Sequence, residues 1–348
     1  MERFGTSDYP GMVMFLVNSQ ILNWTSDLPV VQKNLDRTHR VSMESGDTLS
    51  AFCSLAASYL VSYEAGNIKL EQLEVLGETY SRRIRETKSD FIALIHDTTW
   101  QTVLNLRGEN FDPTELAGRA IKNQDEAILL ARTSGNDLLE FMVLSRQVQL
   151  SYLMGQHDRA ESYRTRSDAT VKSIASSPHL VSHTAYCALN CLALCASNSP
   201  GPKKNSTPYK TATKLFKKLH HWHDDQGYRH CRPIIYLIQG EIDRVNGNFT
   251  AAEKSFENAL TDLDGSSNYR ETGLAHELMG RLFLRDQKDE SWAAHHFDHA
   301  MQHFNAWGAT ALVNKLLDQY GDVLPENPGQ SEVSASLVAE STKNISVV

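Results

Sequence analysis

Proline is scarce in this chain, 10 among 348 residues. No segment alternates apolar and polar residues between Asn-Gly or Asp-Gly turns, so β-hairpins are not supported. Cysteine is also rare. The five present (Cys53, Cys187, Cys191, Cys195 and Cys231) form no Cys-x-x-Cys pair and no small-scaffold spacing. A reducing, cytoplasmic setting is the expectation. Long apolar runs are missing as well: Met12 to Val17 is shorter than the core of a secretion signal, and nothing approaches the length of a membrane span. Neither sign of charge forms a dominant block on a chain of net charge −8. The best basic stretch, Lys203-Lys204 through Lys217-Lys218, is short and lies beside Asp224-Asp225, which argues against a nucleic-acid partner. Phosphate-cradling and nucleophile loops of the Gly-x-Gly-x-x-Gly, Gly-Lys-Ser/Thr and Gly-x-Ser-x-Gly types are absent. No catalytic residue, cofactor or resident metal is therefore expected.

What is present is helical periodicity. Between Leu28 and Tyr320 apolar residues recur every three or four positions, as in Leu49, Phe52, Cys53, Leu55, Ala56, Tyr59 and Leu60, or Ile92, Leu94, Ile95, Trp100, Val103 and Leu104. Glycine followed by a polar residue punctuates the pattern at Gly46-Asp47, Gly66-Asn67, Gly108-Glu109, Gly135-Asn136, Gly155-Gln156 and Gly247-Asn248. Each reads as one helix ending on a left-handed glycine and the next beginning on a capping side chain. The expected fold is all-α: an α-α superhelix, a tetratricopeptide-like solenoid of about fourteen antiparallel helices. An N-terminal segment (1–17) precedes a repeat domain (18–322) with a loop at 197–206, and a Ser-rich tail (323–348) is expected to be disordered.

The repeat itself is visible. Gly240, Gly247, Ala252, Phe256 and Ala259 fall at the tetratricopeptide positions, with Tyr236 where the first large aromatic belongs. Gly280, Ala293, Phe297 and Ala300 follow them by 40, 41, 41 and 41 residues, which places one extra residue in a loop between Arg285 and Glu290. Glycine and alanine admit a neighbouring backbone, and phenylalanine fills the gap beside them. Stacked pairs of this kind bury a shared core and leave a concave surface suited to peptides or partner helices.

Trp24, then Glu44-Ser45-Gly46-Asp47, Leu70-Glu71-Gln72-Leu73, Gly240 to Gly247, Ala275-His276-Glu277-Leu278 and finally Phe304-Asn305-Ala306-Trp307-Gly308-Ala309 follow one another in order. In this the chain resembles the helical-repeat region of large multidomain signalling proteins, over roughly Asn18 to Asp322. In those proteins a serine/threonine kinase and an AAA-type ATPase precede the repeats, and a GAF domain with a sensor histidine kinase follows. The resemblance implies protein-protein interaction or regulation in a kinase- or ATPase-linked system, with such modules as partners. None of the family's catalytic motifs is in this chain, so its activities do not carry over.

Other clusters compete for attention. Cys187, Cys191 and Cys195 stack on one helix face and would suit a soft metal or a redox sensor, but they sit in a strongly apolar segment where cysteine serves as a small core residue. His295, His299 and His303 repeat one turn apart, a spacing that chelates zinc or copper. Ala293, Phe297, Ala300 and Phe304 claim the inward face, which leaves these histidines toward solvent or a neighbouring helix. The two ladders together define the alternative reading, a metal- or redox-responsive regulator. The run His220-His221-Trp222-His223-Asp224-Asp225, with Tyr228 and His230, reads as a polar helix end anchored by Trp222. Arg82, Arg83, Arg85 and Lys88 lie among glutamates and read as a salt-bridged face. The terminus Ser346-Val347-Val348 matches the short motif read by PDZ domains, a pattern common by chance.

Overall fold

The computed structural model describes residues 10–87, 89–174, 176–197 and 206–325. The tail beyond residue 325, most of the loop at 197–206 and the Ser346-Val347-Val348 terminus lie outside the described residues, as does Lys88. Helices and no strands are found among the described residues.

In chain order the helices are α1 (Pro10–Leu16), α2 (Asn23–Thr25), α3 (Leu28–Glu44), α4 (Thr48–Glu64), α5 (Leu70–Arg85), α6 (Asp90–Leu106), α7 (Gln124–Thr133) and α8 (Asp137–Leu153). They continue with α9 (His157–Ser167), α10 (Pro178–Ser197), α11 (Thr207–Asp224), α12 (Arg232–Val245), α13 (Phe249–Leu263), α14 (Tyr269–Arg281), α15 (Glu290–Trp307) and α16 (Thr310–Tyr320). Neighbours in sequence pack as antiparallel pairs, and α4, α6, α8, α10, α12 and α14 also pack on one another in succession. The result is an all-α superhelix with an inner row of even-numbered helices and an outer row of odd-numbered ones. Helix α1 lies in the stretch expected to precede the repeats, and it packs on α3 and α4.

The two rows differ for a reason legible in their residues. Helices α6, α8 and α10 are buried nearly all round, whereas α3, α5, α11 and α13 bury one stripe and expose the other. The six punctuating glycines all have positive φ, between +65° and +86°. The residues that follow them cap less uniformly than expected. Asp47 and Asn136 accept from the backbone N–H groups of Ser50 and Leu139, whereas Asn248 caps nothing with its side chain. Leu49, expected inward, is 55% exposed, because α4 turns Phe52, Leu55 and Tyr59 to the core instead.

The repeat copies correspond to the pairs α12–α13 and α14–α15. Ala252, Phe256, Ala259, Ala293, Phe297 and Ala300 have no exposed surface, and Tyr236 is half-buried. A Cβ built on Gly240 would stand 2.4 Å from the Phe256 ring, and one on Gly280 would stand 2.6 Å from Phe297. The extra residue of the second copy is not in a loop at Arg285 to Glu290. It is absorbed by a π-helical turn, Leu282–Gln287, that continues α14 directly, the form an insertion takes when both flanks stay helical.

The superhelix also closes on itself, so the concave face expected from the repeat is core and not groove. Arg270, at the start of α14, donates to the carbonyls of Tyr63 (3.2 Å) and Glu64 (2.8 Å) at the end of α4. The Tyr269 N–H donates to the Gly66 carbonyl at 3.1 Å, and the Trp307 indole N–H donates to Ile68 O at 3.1 Å. Across the middle, the Tyr63 hydroxyl reaches Gln149 of α8 at 3.2 Å. Helix α16 lies over the ends of α8 and α14, where fully buried Lys315 donates to Leu153 O (2.9 Å) and to the Glu277 carboxylate.

Candidate functional site

An ion network occupies the centre of the closed ring. Glu64 receives Arg146 at 2.9 Å, the His179 ring nitrogen at 3.0 Å and the Ser182 hydroxyl at 2.6 Å, with Arg270 at 3.8 Å. Its carboxyl lies well below the usual range: burial alone would raise it, and the charge of Arg146, the His179 hydrogen bond and the charge of Arg270 overcome that. His179 is held neutral, down to about 4, by burial and by Arg146. A cavity of about 260 Å³ adjoins the network through Glu64, Ser182, Tyr186 and Arg270 and reaches the surface at Arg229 and His230. Of the charges lining it, Arg270 pairs with Glu271 and Arg232 with Asp262. In a cavity of about 610 Å³ beside α5, Arg85 pairs with buried Asp97 and Arg119 with Glu74 and Glu109. These pairs satisfy much of the charge of both cavities within the fold.

A third cavity, about 540 Å³, is different in kind. The end of α1 supplies Phe15 and Leu16 and the π-helical turn after it Ser19; α4 supplies Cys53, Ala57 and Leu60; the first two turns of α6 and α8 add Phe91, Ile95, Leu138 and Met142. Among the described residues, no charged side chain lines it. Leu16 (47% exposed) and Phe91 (37%) stand at its edge. Such a concavity, apolar and open, is the usual form of a site that takes apolar groups from another molecule. Burial and Asp47 push the Cys53 thiol within it up to about 11, which leaves little thiolate at neutral pH.

The residues singled out in the sequence are placed as follows. Cys187, Cys191 and Cys195 are buried in α10, and burial pushes the Cys191 thiol up to about 12. The Cys187 sulfur lies 3.5 Å from His183 Nε2. At the end of α11, His220 and His223 bond Asp224 at 3.1 and 2.7 Å, and His221 bonds Asp225 at 2.6 Å. Trp222 points inward, its ring 5.8 Å from that of Trp24, while His230 reaches Ser26 O at 3.0 Å. This end of α11 therefore fastens the N-terminal turn. Arg83 bonds His39 at 2.9 Å. Gly308 ends α15 with φ +88°, and Trp307 is fully buried.

His299 and His303 turn to the neighbouring helix, where His276 of α14 awaits them; His295 is exposed. The His276 ring stacks with His299 (5.0 Å between centroids, 20° between planes) and with His303 (5.7 Å, 11°). His296, unnoticed in the sequence because it falls between inward positions, brings its Nδ1 to 3.0 Å from that of His276. Parallel rings keep their lone pairs in separate planes. No three His, Cys, Asp or Glu side chains among the described residues are grouped to hold a metal ion.

No family model and no curated protein matches this chain. Among the described residues no helix is long and apolar enough to cross a membrane.

Proposed function

We propose that this chain is a non-catalytic helical-repeat scaffold that docks a protein partner through the apolar cavity bounded by α1, α4, α6 and α8. The observation that carries the reading is the lining of that cavity, uncharged among the described residues, with exposed Leu16 and Phe91 at its rim, on a chain whose inner face is filled. An occupant fitting that lining is an amphipathic helix presenting a few aliphatic or aromatic anchors, the mode in which buried apolar anchors supply most of the affinity. The lack of phosphate-binding and nucleophile motifs supports a binding role over a catalytic one. The resemblance to the repeat regions of multidomain signalling proteins supports kinase or ATPase modules as partners, in the cytoplasm.

The test uses the full chain as bait, identifies its partner by mass spectrometry and then measures binding of that purified partner. Leu60→Glu and Ala57→Trp, which charge and fill the cavity, are expected to weaken binding by roughly tenfold or more while circular dichroism shows an intact fold. A folded bait that retains no partner, or a partner that binds both variants as it binds the parent chain, would overturn the proposal.

A further inference from the structure

His276 on α14 and His295, His296, His299 and His303 on α15 form a single cluster of imidazoles between two helices that also close the ring. Arg270 stands at the start of α14, and Trp307 ends α15. We propose that this cluster is an acid-sensitive latch: protonation of its imidazoles drives α14 from α15 and releases the closure that Arg270 and Trp307 make on the connection between α4 and α5.

The geometry supplies the mechanism. At 3.0 Å the two facing Nδ1 atoms of His276 and His296 share a hydrogen bond only while one carries a proton and the other does not. Protonating both removes the acceptor and sets two N–H groups against each other. His299 and His303, stacked on the same His276 ring, and His295, 4.5 Å from His299, would add like charges within the same few ångströms. Phe283 lies parallel to His296 at 5.4 Å and Trp292 lies 6.0 Å from it, apolar neighbours that offer a charged ring no counter-charge.

Counter-charges nearby are few and mostly engaged. Asp298 on α15 accepts from the neutral amide of Gln302 at 2.9 Å and partly offsets the charge of a protonated His299, and Asp264, before α14, lines the cavity beside His276 and His303. In the π turn, Asp286 binds Arg244 and Arg285 binds the Tyr320 hydroxyl; on α14, Glu271 binds Arg270 while Glu277 holds Arg281 and Lys315. Helix α13 contributes Leu260 and Thr261 to the same cavity, which carry no charge. That cavity, about 650 Å³, gives protons and water a path to the cluster.

The titration direction agrees. Burial, with the neighbouring histidines, holds His296 and His303 down to about 4 and His276 well below its ordinary value. The folded chain thus refuses protons that the unfolded chain accepts from about pH 6.5 downward. The latch is at full strength above that pH and weakens progressively as the pH falls toward 4.

Hydrogen exchange on the full chain at pH 7 and pH 5, corrected for the intrinsic rate, tests the proposal. Amides of residues 66–70 and 268–272 are expected to lose roughly tenfold or more of their protection at pH 5 relative to α8, since one unit of pKa shift corresponds to a tenfold population change. The double substitution His276→Gln, His299→Gln should blunt that loss, and half-exposed His303→Gln, a milder change, should reduce it in part. Parallel loss across the closure and α8, or variants that follow the parent chain, would overturn it.

Discussion

Gly240 and Gly280 are defined by what lies against them. Each gives the space of a missing Cβ to a phenylalanine ring of the following helix, Phe256 or Phe297. Gly280→Val would put atoms where the ring already is, at a cost of about 1–3 kcal/mol for an overpacked site. Phe256→Ala would leave the gap empty, at about 3–5 kcal/mol. Urea denaturation of each variant checks both figures, and a Phe256→Ala chain as stable as the parent would deny that these rings carry the stack. This pairing was readable in the sequence because a small residue and a large one at fixed offsets have few other uses. The partnership of His276 with His296 was not. The sequence displays the ladder at His295, His299 and His303, while the ring that organises the cluster comes from a different helix.

Helices that look alike in sequence take different places. Helix α4 carries apolar residues at helical spacing, and that spacing does not separate Phe52 and Leu55, which are core, from Cys53, Ala57 and Leu60, which line the apolar cavity. A half-exposed apolar position and a buried one share one signature until a neighbouring helix is present or missing. The end of α4 was still less readable. Its bond to Arg270 spans 206 residues, and no local pattern encodes a contact so remote. Glu64 is the electrostatic pivot there. Glu64→Gln keeps the shape and the hydrogen bonds to His179 and Ser182 but leaves Arg146 buried without a counter-charge and Arg270 with Glu271 alone. Such a loss costs about 3–5 kcal/mol. A melt at pH 7 should show it as a large fall in the midpoint. Because the Glu64 carboxyl is held below its ordinary value, its contribution is complete at neutral pH and fades only as the pH drops below about 4.

Closure changes how the assembly should come apart. An open array of repeats contacts only its neighbours and can fray from either end. Here α14 and α15 rest on α4 and α5, and α16 is tied by Lys315 to α8 and α14, so neither end is free to peel alone. Urea unfolding followed by helicity and by tryptophan fluorescence should give coincident midpoints. Trp24, against Trp222, and Trp307, against Ile68, report on the two regions that an open array would lose first. A fluorescence change completed well before the loss of helicity would show that the ends move independently. The all-α superhelix was plain from periodicity, glycine punctuation and the scarcity of proline. Whether it stays open depends on the summed rotation between pairs, which no single residue states.

The π turn at Leu282–Gln287 has a consequence for how such a chain can lengthen. One surplus residue advances an ordinary helix by about 100°, enough to swing every later side chain off its seat. Widening a single turn cancels that rotation where it arises, so Ala293, Phe297 and Ala300 still find the pockets that Ala252, Phe256 and Ala259 occupy one layer earlier. A stack with this tolerance lets its successive units drift in length while its cross-section stays the same.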